Sequence, residues 1–293
     1  MTDWKRIAER IAAAGSHPFD PSPPAPVGGG CINQAVVLSD AERRYFVKLN
    51  RAHRLPMFEA EAAGLEEMAA THSIRVPRPL CTGVAGDQSY IAMEHIQMGG
   101  HRRGGAAQAG RELAAMHRAT RKDFGWHRDN TIGSTPQPNT PSDDWVAFWR
   151  DRRLGFQLGL AARNGYEGRL QSLGERLLAE FPAFIEHAPR PSLLHGDLWG
   201  GNLAFDADGN PVIFDPAVYY GDREADLAMT ELFGGFGGDF YAAYQDDWPL
   251  DPGYRVRKTL YNLYHILNHL NLFGGGYLGQ AEGMMERLLA ELR

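Results

Sequence analysis

The stretch that decides the fold is Leu194-His195-Gly196-Asp197-Leu198-Trp199-Gly200-Gly201-Asn202, continued by Val212-Ile213-Phe214-Asp215-Pro216. Asn202 follows Asp197 by five residues, and Asp215 comes thirteen residues after that. A short loop sets Asp197 and Asn202 on opposite sides of one reacting group, and a hairpin brings Asp215 back beside them. An acid able to take the proton of a hydroxyl, followed by an amide and a second acid able to hold a metal, is a set that phosphoryl transfer can use. Asp and Asn in glycine-rich segments are also ordinary turn formers, and Asp206-Ala207-Asp208-Gly209-Asn210 reads as such a turn.

The 293 residues exceed the usual size of one compact domain, so two coupled lobes are expected. Hydrophobic residues at 43% and charged residues at 23% are those of an ordinary water-soluble globule. The net charge of −6, with no basic domain, argues against a nucleic-acid partner. Arg102-Arg103 and Arg150 to Arg153 read as solvated faces. The opening Met1-Thr2-Asp3-Trp4-Lys5-Arg6 has no apolar signal core, and no run approaches the ~18 apolar residues of a membrane span, so no membrane partner is expected. Cys31 and Cys81 make no disulfide framework, which points to a reducing cytoplasm.

Upstream of the central stretch, Trp4, Ile7 and Ile11 recur at helical spacing over residues 3 to 14. A proline-dense link follows (Pro18, Pro21, Pro23, Pro24, Pro26) and cannot be a central strand. Gly28-Gly29-Gly30-Cys31-Ile32 then lies between extended segments, where backbone amides approach a ligand closely; a plain flexible loop reads equally well. Residues 39 to 43 are a hairpin turn, and Tyr45-Phe46-Val47-Lys48-Leu49 is a strand. A helix is expected from about Met57 to Thr71. Glu61 lies on or beside its packing face, and a carboxylate there needs a partner. Lys48 is the economical one; Glu59 is the alternative acid, and Glu66 and Glu67 read as exposed. Two further strands run to Met93, where Glu94 and His95 begin a crossing out of the sheet.

Beyond this point helices dominate: Ala107 to His117, Asp143 to Arg163, Leu170 to Phe184, Tyr254 to Phe273 and Ala281 to Leu292. Residues 124 to 141 read as an irregular loop carrying Trp126, Asn130, Gly133, Gln137 and Asn139. A loop of that length is often functional, and neutral amides suit polyhydroxy ligands. After Asp215, Asp226 opens a helix as an acidic first-turn residue. The fold class is therefore α+β: an N-terminal antiparallel sheet lobe with a helix over residues 1–94, and a larger helical lobe over residues 95–293.

The order is thus Gly-rich loop, strand Lys, helix Glu, hinge, helical lobe, Asp…Asn, Asp. No Walker lysine follows the glycines, and no Rossmann fingerprint fits as well. The order resembles that of protein kinases. His195-Gly196-Asp197 stands where protein kinases have His-Arg-Asp, and no long activation segment follows Asp215, which points to small-molecule kinases of the aminoglycoside-phosphotransferase type. Within that group the chain resembles the fructosamine/ketosamine kinase family over essentially its whole length. The carrying residues are Gly28-Gly29-Gly30-Cys31-Ile32, Phe46-Val47-Lys48, Met57-Phe58-Glu59-Ala60-Glu61, Met93-Glu94, His195 to Asn202, Asp215-Pro216-Ala217, Tyr220-Gly221-Asp222-Arg223-Glu224 and Leu232-Phe233-Gly234-Gly235-Phe236.

The resemblance implies a two-lobed protein-kinase-like fold and ATP-dependent phosphorylation of the 3-hydroxyl of fructosamines or ribulosamines. The 3-phosphate is unstable and eliminates, so the implied role is deglycation. ATP would lie between the lobes, under the amides of Gly28 to Ile32. Lys48, held by Glu61, would neutralise its phosphates, and the hinge at Met93, Glu94 and His95 would pair with adenine. Asn202 and Asp215 would hold Mg²⁺, and Asp197 would take the hydroxyl proton. His195 and Asp226 would support the loop. Trp199 is placed to stack on the sugar; Asp222 or Glu224 would face the cationic ketoamine nitrogen; Asn268 and His269 would line the acceptor site. Cys31, on a glycine loop over the phosphates, is a redox candidate, so the expected state is a monomer or a homodimer that responds to reductant. The alternatives are a kinase of aminoglycosides or choline, and a non-catalytic nucleotide-binding scaffold.

Overall fold

Asp3 starts the first helix. Its side chain accepts from the Arg6 amide at 3.0 Å and caps α1 (Trp4–Gly15), which buries Ile7 and Ile11. The computed structural model describes residues 2–28, 32–100 and 102–292. Strands β1 (Ala25–Val27), β2 (Gln34–Ser39), β3 (Arg44–Arg51), β4 (Pro79–Ala85) and β5 (Gln88–Glu94) form one antiparallel sheet in the order β1-β2-β3-β5-β4. The proline-dense run still yields a strand because β1 lies at the sheet edge, where the missing amide of Pro26 costs no ladder bond. β3 is central, and its register sets Lys48 between Ala35 and Ile91.

Helix α1 packs on the sheet to form a small core with Val47, Leu49 and Tyr90. Helix α2 (Leu55–Ala69) follows β3. Its buried Phe58, Leu65 and Met68 belong to a second, larger core that takes in Ile91 and Met93 and continues into the helical remainder. The sheet ends at Glu94, but the hydrophobic core does not divide there.

The remainder is built on α3 (Gly105–His117), α4 (Trp145–Trp149), α5 (Phe156–Arg163), α6 (Arg169–Glu180), α7 (Glu224–Leu232), α8 (Gly238–Asp247), α9 (Tyr254–Phe273) and α10 (Leu278–Glu291). The helix expected over 143 to 163 runs from Trp145 to Arg163, with a π-helical segment, Arg150–Gly155, between α4 and α5. Three short antiparallel pairs sit among the helices: β6 (Asn130–Ile132) with β7 (Thr135–Gln137), β8 (Ser192–Leu194) with β11 (Tyr219–Gly221), and β9 (Leu203–Phe205) with β10 (Pro211–Ile213). The first falls inside the stretch expected to be irregular; three-residue strands are too short to show a period in sequence. Among the described residues no helix is long and apolar enough to cross a membrane.

Candidate active site

The central stretch folds as its spacing requires. β8 delivers His195 to Asp197, a short helical turn carries Asn202, and the β9–β10 hairpin returns the chain to Asp215. Gly196 has φ +82°, and a Cβ there would lie 2.1 Å from the Ala217 carbonyl oxygen. The glycine between His and Asp is therefore imposed by the backbone that follows Asp215. Asp226, buried at the start of α7, accepts from the amides of His195 at 2.7 Å and Gly196 at 2.8 Å. It also meets His117 Nε2 at 3.1 Å, and His117 meets Tyr244 through its other nitrogen. Burial raises the Asp226 pKa, but the hydrogen bond and charge of His117 outweigh it and hold the carboxyl below its usual range.

His195 is buried, and its pKa is pushed down by that burial. The Asp197 amide donates to its Nδ1 at 3.2 Å, so Nε2 carries the proton and donates to the Phe214 carbonyl at 2.9 Å. A neutral ring thus ties the loop of Asp197 to the residue before Asp215. Asn202 donates through Nδ2 to the Asp197 carbonyl at 2.8 Å, which fixes its amide plane. Asp215 adopts φ +60°, sparsely populated for a residue with a side chain, and such outliers concentrate at functional sites.

Lys48 reaches this site from β3. Its Nζ donates to Glu61 and to Asp215, each at 2.5 Å. Burial disfavours the ammonium, but the two carboxylates more than offset it and raise its pKa. Asp197 is half-buried, and its pKa is pushed up to about 7 by burial first, then by the charges of Asp215 and Asp226. Two acids eighteen residues apart thus take different states: Asp215 is ion-paired, and Asp197 is poised to accept a proton near neutrality.

Asp215 is supported from behind by residues of the 124 to 141 segment. Gln137 donates to the Ala217 carbonyl at 3.0 Å and Asn130 to the Val218 carbonyl at 2.8 Å. Gln137 and Asn139 both donate to Asn130 Oδ1, and Tyr264 donates to Gln137. Arg153, fully buried on the π-helical segment, donates to Asn139 and to the Pro138 carbonyl and lies over the rings of Tyr219 and Phe148. These amides, read as candidates for polyhydroxy ligands or surface loop, instead hold backbone. Sequence could not show it, because their partners lie some 80 residues away.

Two residues after Asp197, Trp199 is 40% exposed and meets Phe233 edge-to-face at 6.2 Å. Phe233 lies 5.1 Å from the ring of His269, which also meets Phe273 and Tyr277. A Cβ on Gly201 would fall 2.3 Å from the Trp199 ring, so the glycine lets that ring fold over the loop. Trp199 and His269 are thus brought to one aromatic surface.

Other expected ligand residues lie elsewhere. Register pairs Gly221 with Ser192 and Tyr219 with Leu194, so Asp222 sits at the far end of this ladder from Asp197. Asp222 is buried against Tyr261 at 2.6 Å and His187 at 2.7 Å; Glu224 makes a two-pronged pair with Arg257. Both acids are internal, and the expectation that one of them faces a cationic substrate nitrogen is corrected. Asn268 is also internal: its amide oxygen accepts from Gln157 on α5, and Asn271 ties to the same residue. At the hinge, Met93 is buried in β5. The Glu94 amide donates to the Arg78 carbonyl at 2.8 Å, and its carboxylate pairs with Arg75, which also holds Asp206. The Glu94 amide is therefore already engaged within the protein. Asp206 is part of this ion-paired corner as well as a turn residue. Gly28 and Ile32 flank the glycine loop, while Gly29, Gly30 and Cys31 lie outside the described residues.

The fructosamine kinase family model matches residues 3–291. The chain belongs to the fructosamine kinase family. It is 50% identical over 287 residues to a probable ketoamine kinase of Synechocystis sp., covering 98% of this chain and 97% of that protein. It is 48% identical over 271 residues to the chloroplastic protein-ribulosamine 3-kinase of Arabidopsis thaliana, covering 91% of this chain and 82% of that one. A crystal structure named as a fructosamine-3-kinase of Haemophilus somnus superposes with a TM-score of 0.91 at 27% identity, covering 98% of each chain. The α+β, protein-kinase-like fold and the ATP-dependent phosphotransferase activity expected from the sequence are those of this family.

Proposed function

We propose that this chain phosphorylates the 3-hydroxyl of ketosamines, fructose- or ribulose-derived adducts on amines, with ATP as donor. The observation that carries this reading is the meeting of Lys48, Glu61 and Asp215 beside an Asp197 of raised pKa. Lys48 binds the phosphates of ATP, and Glu61 holds it in place. Asp197 orients the sugar hydroxyl and accepts its proton as the new O–P bond forms and the bond to ADP breaks. Asn202 and Asp215 suit a hard cation: an amide oxygen fixed in orientation and a half-exposed carboxylate are the oxygen donors that Mg²⁺ selects. When bound, Mg²⁺ supplies charge neutralisation on the phosphates. Trp199 and His269 line the acceptor side, where an aromatic face meets the apolar face of a sugar. The cytoplasm is the expected compartment, and the redox role of Cys31 belongs to the same reading.

An aminoglycoside acceptor is disfavoured because the two acids that could meet a cationic acceptor, Asp222 and Glu224, are paired internally. The test is a phosphotransfer assay with Mg²⁺ and ATP on ribulosyl-lysine and fructosyl-lysine, against kanamycin and choline. Phosphorus NMR should show a sugar 3-phosphate that decays with release of lysine. Turnover of kanamycin or choline without turnover of either ketosamine would overturn the reading.

A further inference from the structure

Glu67, which sequence placed in solvent, is the most heavily engaged side chain of α2. Its carboxylate accepts from Trp126 Nε1 at 2.5 Å and from the Tyr220 hydroxyl at 2.7 Å, and it pairs with Arg121 at 2.6 Å. All three partners belong to the helical lobe. Trp126 and Tyr220 are buried, and the Arg121 guanidinium, itself half exposed, lies 4.8 Å over the Tyr220 ring, so the group is a buried pair of donors capped by one ion pair at the surface. Tyr220 lies on the strand that follows Asp215. One turn of α2 before Glu67, a Cβ on Gly64 would sit 2.9 Å from the Val218 side chain, so helix and strand are in close contact. One turn earlier again is Glu61, holding Lys48. A second, looser tie joins Glu59 to Arg128.

In kinase folds the Lys–Glu pair forms only when the helix bearing the Glu is in place, and activation commonly works by moving that helix. Here the helix shares its hydrophobic core with the helical lobe. We propose that Glu67 is a positioning residue that locks α2 to the helical lobe, so that the Lys48–Glu61 pair stands assembled without an activation step. This rests on the reading of Lys48 as the phosphate ligand.

The test compares Glu67→Gln in the wild-type and Glu61→Gln backgrounds, with hydrogen exchange along α2 as a second readout. Glu67→Gln should lower kcat/KM for ATP by about tenfold and leave KM for the ketosamine within about twofold, while in the Glu61→Gln background it should cost less than about twofold. Amide exchange over α2 should rise. An equal loss in both backgrounds, or no loss with unchanged exchange, would overturn the lock. Should Glu67→Gln fail to fold, Tyr220→Phe and Trp126→Phe each remove one donor and should show the same pattern more weakly. If Glu61→Gln leaves ATP kinetics unchanged, the site reading falls, and the exchange experiment still decides for or against Glu67.

Discussion

Lys48 and Asp215, 167 residues apart in the chain, meet at 2.5 Å, and the same ammonium holds Glu61 at 2.5 Å. One cation thus joins the sheet, α2 and the loop that follows the β9–β10 hairpin. Replacing it leaves two neighbouring carboxylates without their shared partner and removes a donor aimed at the phosphates. Lys48→Ala should lower kcat/KM for ATP by about 100-fold or more. Steady-state kinetics with ATP varied would measure it, and a loss confined to the ketosamine KM would contradict the assignment.

Asp197 accepts a proton, so it must be ionised to act. With its pKa pushed up to about 7, kcat/KM for the acceptor should rise with slope one up to about pH 7 and then level off. Neutralisation of Asp215 by a bound cation would move the inflection down. Asp197→Asn should reduce kcat by roughly 1,000-fold while nucleotide still binds, measured by dye displacement or calorimetry.

The same carboxyl bears on stability. A group whose folded pKa lies above its unfolded value of about 3.9 binds more protons in the fold, so its contribution weakens as pH rises from about 4 to about 7. Asp197→Asn removes that penalty. Its Tm in EDTA should exceed the wild-type value at pH 8, and the gap should close towards pH 5. A gap independent of pH would show that burial of the Asp197 charge is not its source.

Asp226 has the opposite sign. Its folded pKa is depressed, so its contribution is present above the unfolded value near 3.9 and is lost as pH falls below it. The wild-type Tm should therefore fall more steeply between pH 4 and pH 3 than that of Asp226→Asn. At pH 7 the variant should be less stable by about 2 kcal/mol, because the charged acceptor of the His195 and Gly196 amides is gone. Urea unfolding across this range would measure both effects.

Gly196→Ala places a Cβ 2.1 Å from the Ala217 carbonyl at a positive φ. The expected cost is roughly 3 kcal/mol of stability, read by urea unfolding, with activity lost even where the fold survives. Arg153→Met should cost a similar amount, roughly 2–4 kcal/mol, by leaving the Asn139 amide oxygen and the Pro138 carbonyl without their donor.

Sequence by itself determined the parts whose chemistry is local. Asp197, Asn202 and Asp215 are fixed by loop and hairpin lengths, and the 3.6 period put Glu61 on the packed face of α2 across from a strand lysine. The support of the loop by Asp226 was implied by the family resemblance alone, since an acid in a first helical turn commonly does no more than face the helix dipole. Tertiary structure decided what depends on distant partners. Glu67 reads as one more exposed acid of a helix, since nothing near it in sequence hints at Trp126, Arg121 and Tyr220. Asp222 and Glu224 read as ligands because an acid looks available until its counter-ion is seen, and His187 and Arg257 lie some thirty residues away on either side. Asn130, Gln137 and Asn139 read as loop because a buried amide declares itself only through the carbonyl it satisfies. The physical reason is the same in each case. A turn or a helical period is set by neighbours along the chain, whereas the partner of a buried polar group is set by the fold.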